Sequence, residues 1–410
     1  MSSTQSGRSL FDSAPAVVTV VSIGHFLSHV YQLVLPPLFP LLAADLALSN
    51  SQLGLLVSIL YVMMLLVQTP LGSLVDTIGA KQIFVAGLLT TSAGTVLAGL
   101  ASYGEGIVPV YALLVVAAVI MGLGQSTFHP ADYPLIEAVS DETNRGKYFG
   151  IHMFAGFLGF AVAPVVVGGL GLAYGWEIAL ISVGLVGIIY AGVTEVLLSP
   201  VYADQISERE TTEESAGIFS EFSVLLRPNI LAVLLFFTVV SIAGLGINSF
   251  TVVYVSEGFP FTEAVGNTVL STYMILASIG ILVGGILSDR LSVRALIVVM
   301  LLFTTGFIGV SIMADIVSSV LLLALFGSAG FCYGMTVPAR DQLVSLVSPP
   351  DALGKSFGFV TSGIPIGGIV SPLLLGFVID TADVFVAFWI VALAFFVSAL
   401  IIAGMWIAER

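Results

Sequence analysis

Four histidines and one aspartate carry most of the titratable chemistry that this sequence sets among apolar residues. His25 and His29 stand four apart, with Gln32 three further on. Gln125, His129 and Asp132 repeat the same i, i+4, i+7 spacing in a later apolar stretch. On a helix each trio shares one face. Imidazole titrates near neutral pH, and a carboxylate withdrawn from water moves toward that range. Such a group suits proton uptake and release, or hydrogen bonding to a polar solute. Asp132 and His129 are the expected proton carriers. His152 lies close to the end of a neighbouring stretch and is expected to be less central. Arg340 is the one basic residue of eleven that lies within an apolar stretch and away from the chain's loops and span ends. A guanidinium there suits a bidentate grip on a carboxylate or phosphate. Thr336, four residues before it, and Asn248 with Thr251 add neutral polar groups. The candidate solute-binding set is therefore His25, His29, Gln32, Gln125, His129, Asn248, Thr336 and Arg340.

Each of these residues has a plainer reading. His25 can bond a backbone carbonyl, and a buried acid–base pair can be purely structural. Tyr133, Tyr273 and Tyr333 suit a solute but also pack between helices. Glu137 and Glu195 sit near the ends of apolar stretches, where solvation or gating explains them.

Helices across a lipid bilayer are the elements that must position these groups. The chain has 410 residues, of which 58% are hydrophobic and only 9% charged, and its mean hydropathy is +1.12. Soluble domains carry about 25% charged residues, so this chain is too apolar to cover a water-facing surface. Apolar runs long enough for a hydrocarbon core about 30 Å thick recur throughout. Twelve spans are expected, at roughly 14–44, 50–75, 81–102, 107–139, 145–173, 176–198, 226–256, 262–288, 293–314, 316–347, 353–379 and 384–407. Alternating β-barrel segments are absent. The expected fold class is an all-α integral membrane protein. Cys332 alone excludes a disulfide framework and a cysteine-based metal cluster. Neither a phosphate-binding Gly-rich loop with its lysine nor a His-Glu-x-x-His stretch occurs, so no ATP hydrolysis, metal, cofactor or enzyme activity is expected. The net charge of −14 resides in loops and termini and implies no nucleic-acid partner. The expected partners are a small-molecule substrate, protons and the lipid bilayer.

The spans are duplicated. Pro130, Ser140, Gly146, Lys147, Phe149, Gly150, Gly159, Pro164 and Gly168 have identical counterparts 208 positions later, at Pro338, Ser348, Gly354, Lys355, Phe357, Gly358, Gly367, Pro372 and Gly376. At one matched position Asp132 corresponds to Arg340. Residues 72–81 likewise match 285–294, with Gly72, Asp76 and Lys81 meeting Gly285, Asp289 and Arg294. Parallel halves of six helices are a transporter arrangement. The expected organisation is a disordered cytoplasmic tail over 1–13, a six-helix bundle over 14–198, a linker over 199–225 and a second bundle over 226–410. Basic residues gather at one set of span ends, so both termini are expected in the cytoplasm. Matched positions in such halves lie across the central axis. Asp132 and Arg340 are therefore expected to face one another, as a latch, or with Arg340 holding an anion and Asp132 a proton. Asp341 is expected to point to another face.

Over nearly its whole length the chain resembles the major facilitator superfamily. Gly72, Leu74, Asp76, Gly79 and Lys81 match that family's loop signature, while Thr77 and Ala80 depart from it. The resemblance implies two pseudo-symmetric six-helix bundles and a central cavity lined by the first, fourth, seventh and tenth spans. It also implies a monomer that works alone in the cytoplasmic membrane. Small Gly72 is expected to permit close helix approach. Asp76 is expected to cap helix amides or to pair with Arg145 as a cytoplasmic gate. Gly150, Gly159, Pro164 and Gly168, repeated at Gly358, Gly367 and Pro372, are similar to the family's antiporter pattern, although Ala163 and Ala118 depart from it. The Phe128-His129-Pro130 stretch is similar to members related to fosmidomycin-resistance proteins.

Overall fold

With no water in a bilayer core, every backbone amide and carbonyl needs a partner within the chain, and helices supply one. The computed structural model describes residues 13–104, 106, 108–198, 225–349 and 352–408. The expected tail and linker fall outside them, apart from Ser13 and Leu225.

In chain order the helices are α1 (Ala14–Gln32), α2 (Phe39–Leu46), α3 (Asn50–Ile78), α4 (Ala80–Gly99), α5 (Val110–Gln125), α6 (Phe128–Glu137), α7 (Arg145–Tyr174) and α8 (Trp176–Leu197). They continue as α9 (Pro228–Gly258), α10 (Glu263–Ser288), α11 (Val293–Met313), α12 (Ser319–Val347), α13 (Leu353–Thr361), α14 (Gly363–Thr381) and α15 (Val384–Ala408). Twelve runs among them are long and apolar enough to cross a membrane, with α5–α6 and α13–α14 each forming one run.

Proline explains where these helices depart from the expected spans. The first span does not run unbroken to residue 44. Pro36 and Pro37 open a single 3-10 turn, Pro36–Leu38, after α1 has ended. The fourth span breaks at Ser126–Thr127, where the ring of Pro130 would meet the carbonyl of residue 126. The hydroxyls of Ser126 and Thr127 donate to the carbonyls of Gly122 and Gly124, each at 2.8 Å. Pro365 breaks the eleventh span at Ser362 in the same way.

Packing gathers the residues into two compact units. Among the described residues, one holds 13–32, 63–160 and 177–198; the other holds 33–62, 161–176 and those from Leu225 onward. In the first unit, Val17 and Val21 of α1, Phe84 and Leu88 of α4 and Phe128 and Leu135 of α6 share one buried cluster. In the second, α10 and α12 cross through glycines. An ideal Cβ on Gly280 would lie 2.2 Å from the Phe331 carbonyl oxygen, and one on Gly334 would lie 2.0 Å from that of Ala277. Spaced as small-x-x-x-small pairs, Gly280/Gly284 and Gly330/Gly334 let two backbones touch, which is how apolar helices gain contact energy in lipid.

That crossing is testable. Gly334→Ala forces a methyl group against a backbone carbonyl and should cost about 1–3 kcal/mol, as overpacking does. Gly306→Ala has open space around it and should leave stability unchanged. Thermal unfolding of the two variants in detergent measures the difference.

Candidate functional site

The first unit holds a closed polar centre built from three helices. His25 comes from α1, Asp132 from α6 and His152 from α7. All three side chains are fully buried. His25 Nδ1 lies 2.9 Å from Asp132 Oδ2, and His152 Nε2 lies 3.1 Å from the same oxygen. The His25 and His152 rings stack, with centroids 4.0 Å apart. Around them, the His29 ring lies 4.4 Å and the His129 ring 5.5 Å from that of His25. Asp132 Oδ1 has no hydrogen-bond partner among the described residues.

Local sequence explains the geometry. The break at Ser126–Thr127 restarts the helix just before His129, and α6 then presents Asp132 to α1. Glycines on α7 bring its backbone close to α1. A Cβ on Gly156 would lie 2.6 Å from the His25 ring, and one on Gly159 would lie 2.3 Å from the Phe26 carbonyl oxygen. The turn between α6 and α7 is held by Asp141. Its Oδ1 accepts from the Thr143 hydroxyl at 2.6 Å and the Thr143 amide at 2.8 Å. These bonds from Thr143, together with those from Asn144, keep the Asp141 carboxyl below the usual carboxylate range.

His25, His129 and Asp132 each offer a ligand atom within 4.8 Å of the others. The His152 contact has hydrogen-bond geometry, whereas His25 Nδ1 meets the same oxygen at ion-pair distance with no hydrogen-bond partner among the described residues. The arrangement is therefore one acid oxygen contacted by two imidazoles, one of them through a hydrogen bond.

Several expected site residues are placed otherwise. Within its own unit Asp132 meets His25 and His152. His152, the histidine expected to be less central, is one of them. Gln125 donates through Nε2 to the Ser28 carbonyl, so its amide joins α5 to α1. Gln32 sits within 3.9 Å of Met64 Sδ. His29 packs on Phe160, with ring centroids 4.2 Å apart.

Arg340 on α12 is half-buried. Its Nε lies 3.3 Å from Asp341 Oδ1, and its guanidinium carbon lies 5.0 Å over the Phe237 ring. Asp341 thus pairs with its neighbour instead of pointing elsewhere. The terminal nitrogens of Arg340 have no hydrogen-bond partner among the described residues. Thr336 is 1% exposed and donates to the Tyr333 carbonyl at 2.7 Å. Asn248 on α9 is half-buried.

The gate motif is also rearranged. Asp76 is exposed near the end of α3. Arg145 pairs instead with Glu137, Nε to Oε2 at 3.0 Å. Lys81 reaches Glu195 at 2.9 Å. Asp289 accepts from Gln342 Nε2 at 3.0 Å, and Arg294 stands at the start of α11. A Cβ on Gly72 or Gly285 would meet nothing within 4 Å, so neither glycine serves close approach. Gly79 does need to be glycine, since its φ is +102° between α3 and α4. Gly150 and Gly358 likewise face open space, whereas Gly367 abuts Ser241. Pro164 and Pro372 lie inside α7 and α14.

Comparison with known proteins follows the same lines. The sequence model of the Major Facilitator Superfamily matches residues 21–264 and 234–410. The membrane sensor protein UhpC of Salmonella typhimurium is 26% identical, over 88% of this chain and 85% of that protein. The hexuronate transporter of Bacillus subtilis is 23% identical, over 88% of each. The crystal structure of a bacterial homologue of the human lysosomal transporter Spinster, inward-facing and unoccupied, superposes with a TM-score of 0.76. It is 16% identical and covers 97% of this chain and 96% of its own.

Removing members of the polar centre should rank their contributions. Asp132→Ala strips His152 of its hydrogen-bond partner and His25 of its ion-pair contact and should destabilise by about 3 kcal/mol or more if one imidazole is charged. His152→Ala leaves the His25 contact and should cost less, about 1–3 kcal/mol. A double-mutant cycle between positions 25 and 152, read by unfolding in detergent, should show coupling through the shared oxygen.

Proposed function

The chain belongs to the major facilitator superfamily, and we propose that it is a proton-coupled transporter of a small organic anion that works by alternating access. The observation that carries this reading is the buried Asp132 oxygen shared by His25 and His152. With both imidazoles neutral the centre is a buried negative charge, which is costly in a dry interior. One added proton makes it a neutral acid–base group. Release of that proton needs water, so the centre empties only in a conformation that opens it. Linking protonation to opening is what proton coupling requires.

Solute recognition falls to Arg340 in this proposal. Its terminal nitrogens are the free fork that binds a carboxylate in a bidentate way, while Asp341 and Phe237 hold the group in place. Similarity to a hexuronate transporter, whose name denotes an anionic sugar, favours that substrate class. His29, His129, Gln32 and Asn248 complete the proposed polar lining. In this reading the two six-helix halves, 14–198 and 226–410, are joined by the 199–225 linker and rock as a monomer in the cytoplasmic membrane. Both termini lie inside the cell, and the Lys81 and Arg145 ends form its cytoplasmic gate. Similarity to UhpC favours a second reading, a membrane sensor that binds its solute without carrying it. The Phe128-His129-Pro130 stretch adds fosmidomycin-like drugs to the substrates to be tried.

Liposomes containing the protein and an internal pH dye test the proposal. Hexuronates, other organic anions and cationic drugs are added one at a time. The expected result is a substrate-dependent pH change that Asp132→Asn abolishes, with Arg340→Ala weakening apparent affinity about tenfold or more. Uptake of labelled solute without a pH change makes the protein a uniporter or anion exchanger. Binding without counterflow makes it a sensor.

A further inference from the structure

The histidine–aspartate centre of the first unit holds more polar atoms than its hydrogen bonds employ. His25 Nδ1 and Nε2, His29 Nδ1, His129 Nδ1, Asp132 Oδ1 and His152 Nδ1 are buried without a hydrogen-bond partner among the described residues. Each such atom is costly. One added proton bridges two atoms at most, whereas a metal ion takes three or four donors at once.

The donor set names the kind of ion. His25, His129 and Asp132 each offer an atom within 4.8 Å of the others. Imidazoles with one carboxylate suit Zn²⁺, Ni²⁺, Co²⁺ or Cu²⁺, whereas Mg²⁺ and Ca²⁺ prefer oxygen ligands. Bonds of about 2.1 Å put the donors of a tetrahedral ion about 3.4 Å apart. The separations here bracket that figure, from 2.9 Å between His25 Nδ1 and Asp132 Oδ2 to at most 4.8 Å across the set. The His25 contact also lacks the geometry of a hydrogen bond. Two ligands of one ion meet in that way, because each points at the ion and not at the other.

The surrounding frame suits an ion as well. His129 and Asp132 stand i, i+3 on α6 and share a face, and His25 reaches them from α1. His25 and Asp132 are fully buried, while His29 and His129 are half-buried, which leaves an approach on their side. His152 Nε2, 3.1 Å from Asp132 Oδ2, is the outer hydrogen-bond partner that a ligating carboxylate usually has. Gly156 makes room for the rings, since a Cβ there would lie 2.6 Å from His25 and 2.9 Å from His29. No short sequence motif announces this set, because its donors come from two helices.

We propose that His25, His129 and Asp132, with His29 as a fourth donor, bind one divalent transition-metal ion of the zinc class and so tie α1 to α6. The inference goes beyond the transport reading and does not rest on it. The ion and a coupling proton take the same carboxylate, so each excludes the other.

Metal titration of the full chain tests the proposal. The protein carries no polyhistidine tag, is stripped with a chelator, and is titrated in lipid nanodiscs with Zn²⁺ alone or Co²⁺ alone. Calorimetry should find one tight site per chain. Bound Co²⁺ should show the visible bands of a four-coordinate ion, and Zn²⁺ should remove them. A large excess of Mg²⁺ should not compete. His129→Gln and Asp132→Asn should each weaken Zn²⁺ binding about a hundredfold or more, since even the outer partners of a ligand are worth about 10–100-fold. His129 Nδ1 makes no hydrogen bond among the described residues, so His129→Gln is the variant that best keeps the fold. If that variant binds Zn²⁺ as the parent does, or if Mg²⁺ displaces the ion, the ion sits on surface carboxylates and the proposal fails. A parent protein that takes up no Zn²⁺ overturns it outright. If Asp132→Asn does not fold, His129→Gln and the Co²⁺ spectrum still decide. Transport is scored separately: Zn²⁺ held at these residues in a protein without solute flux upholds the site and sinks transport, and solute flux in a protein that binds no Zn²⁺ upholds transport and sinks the site.

Discussion

A carboxylate that has lost its water must be shared, and Asp132 is shared by two imidazoles from two other helices. That requirement shapes much of the first unit. The helix must break and restart before His129 so that Asp132 faces α1. Glycines at 156 and 159 must let α7 lie against α1, or His152 and His25 would not reach one oxygen. Asp141 must hold the short turn that returns the chain from α6 to α7. Each device is local, and each loses its purpose without the buried acid.

The duplicated half answers a similar problem with other means. At the position matching Asp132 stands Arg340, whose charge is met by its neighbour Asp341 and by the face of Phe237. Glycines bring helices together in both halves: glycine pairs set α10 against α12, and Gly87, Gly94 and Gly124 set α4 against α5. The polar cargo of the two halves differs. One half buries an acid among histidines, and the other leaves a guanidinium edge open. In the proposed reading, repetition of shape with divergence of charge divides labour between proton and solute.

Charges at the ends of the spans behave more simply. Lys81 with Glu195, and Arg145 with Glu137, pair within the first unit, and at least one partner of each pair is well exposed. Exposed pairs of this kind contribute little, about 0–1 kcal/mol. They order helix ends and are cheap to break, which suits parts that have to move. The bonds from the Asn50 and Ser51 amides at the start of α3 to the Asp380 carboxylate are different in kind, because without them two helix amides would be left unpaired.

Composition and hydropathy were enough to establish a membrane protein of twelve spans, because lipid allows so few backbone solutions. The 208-residue repeat was legible too, as were the prolines that later proved to break three of the spans. The candidate centre was half legible. Periodicity ranks residues along one helix, so it grouped Gln125, His129 and Asp132 and singled out His25. It does not say which helix lies opposite. Symmetry points from Asp132 to Arg340 and gives no hint of His152, whose nearness within the same unit depends on glycines letting α7 approach α1. Likewise, nothing in residues 50–51 or 380 announces a bond between positions so far apart in the chain. Residue types and their spacing determined what chemistry the chain carries; tertiary packing decided which groups meet, because a buried charge takes the partner that the helix crossings bring within hydrogen-bonding reach.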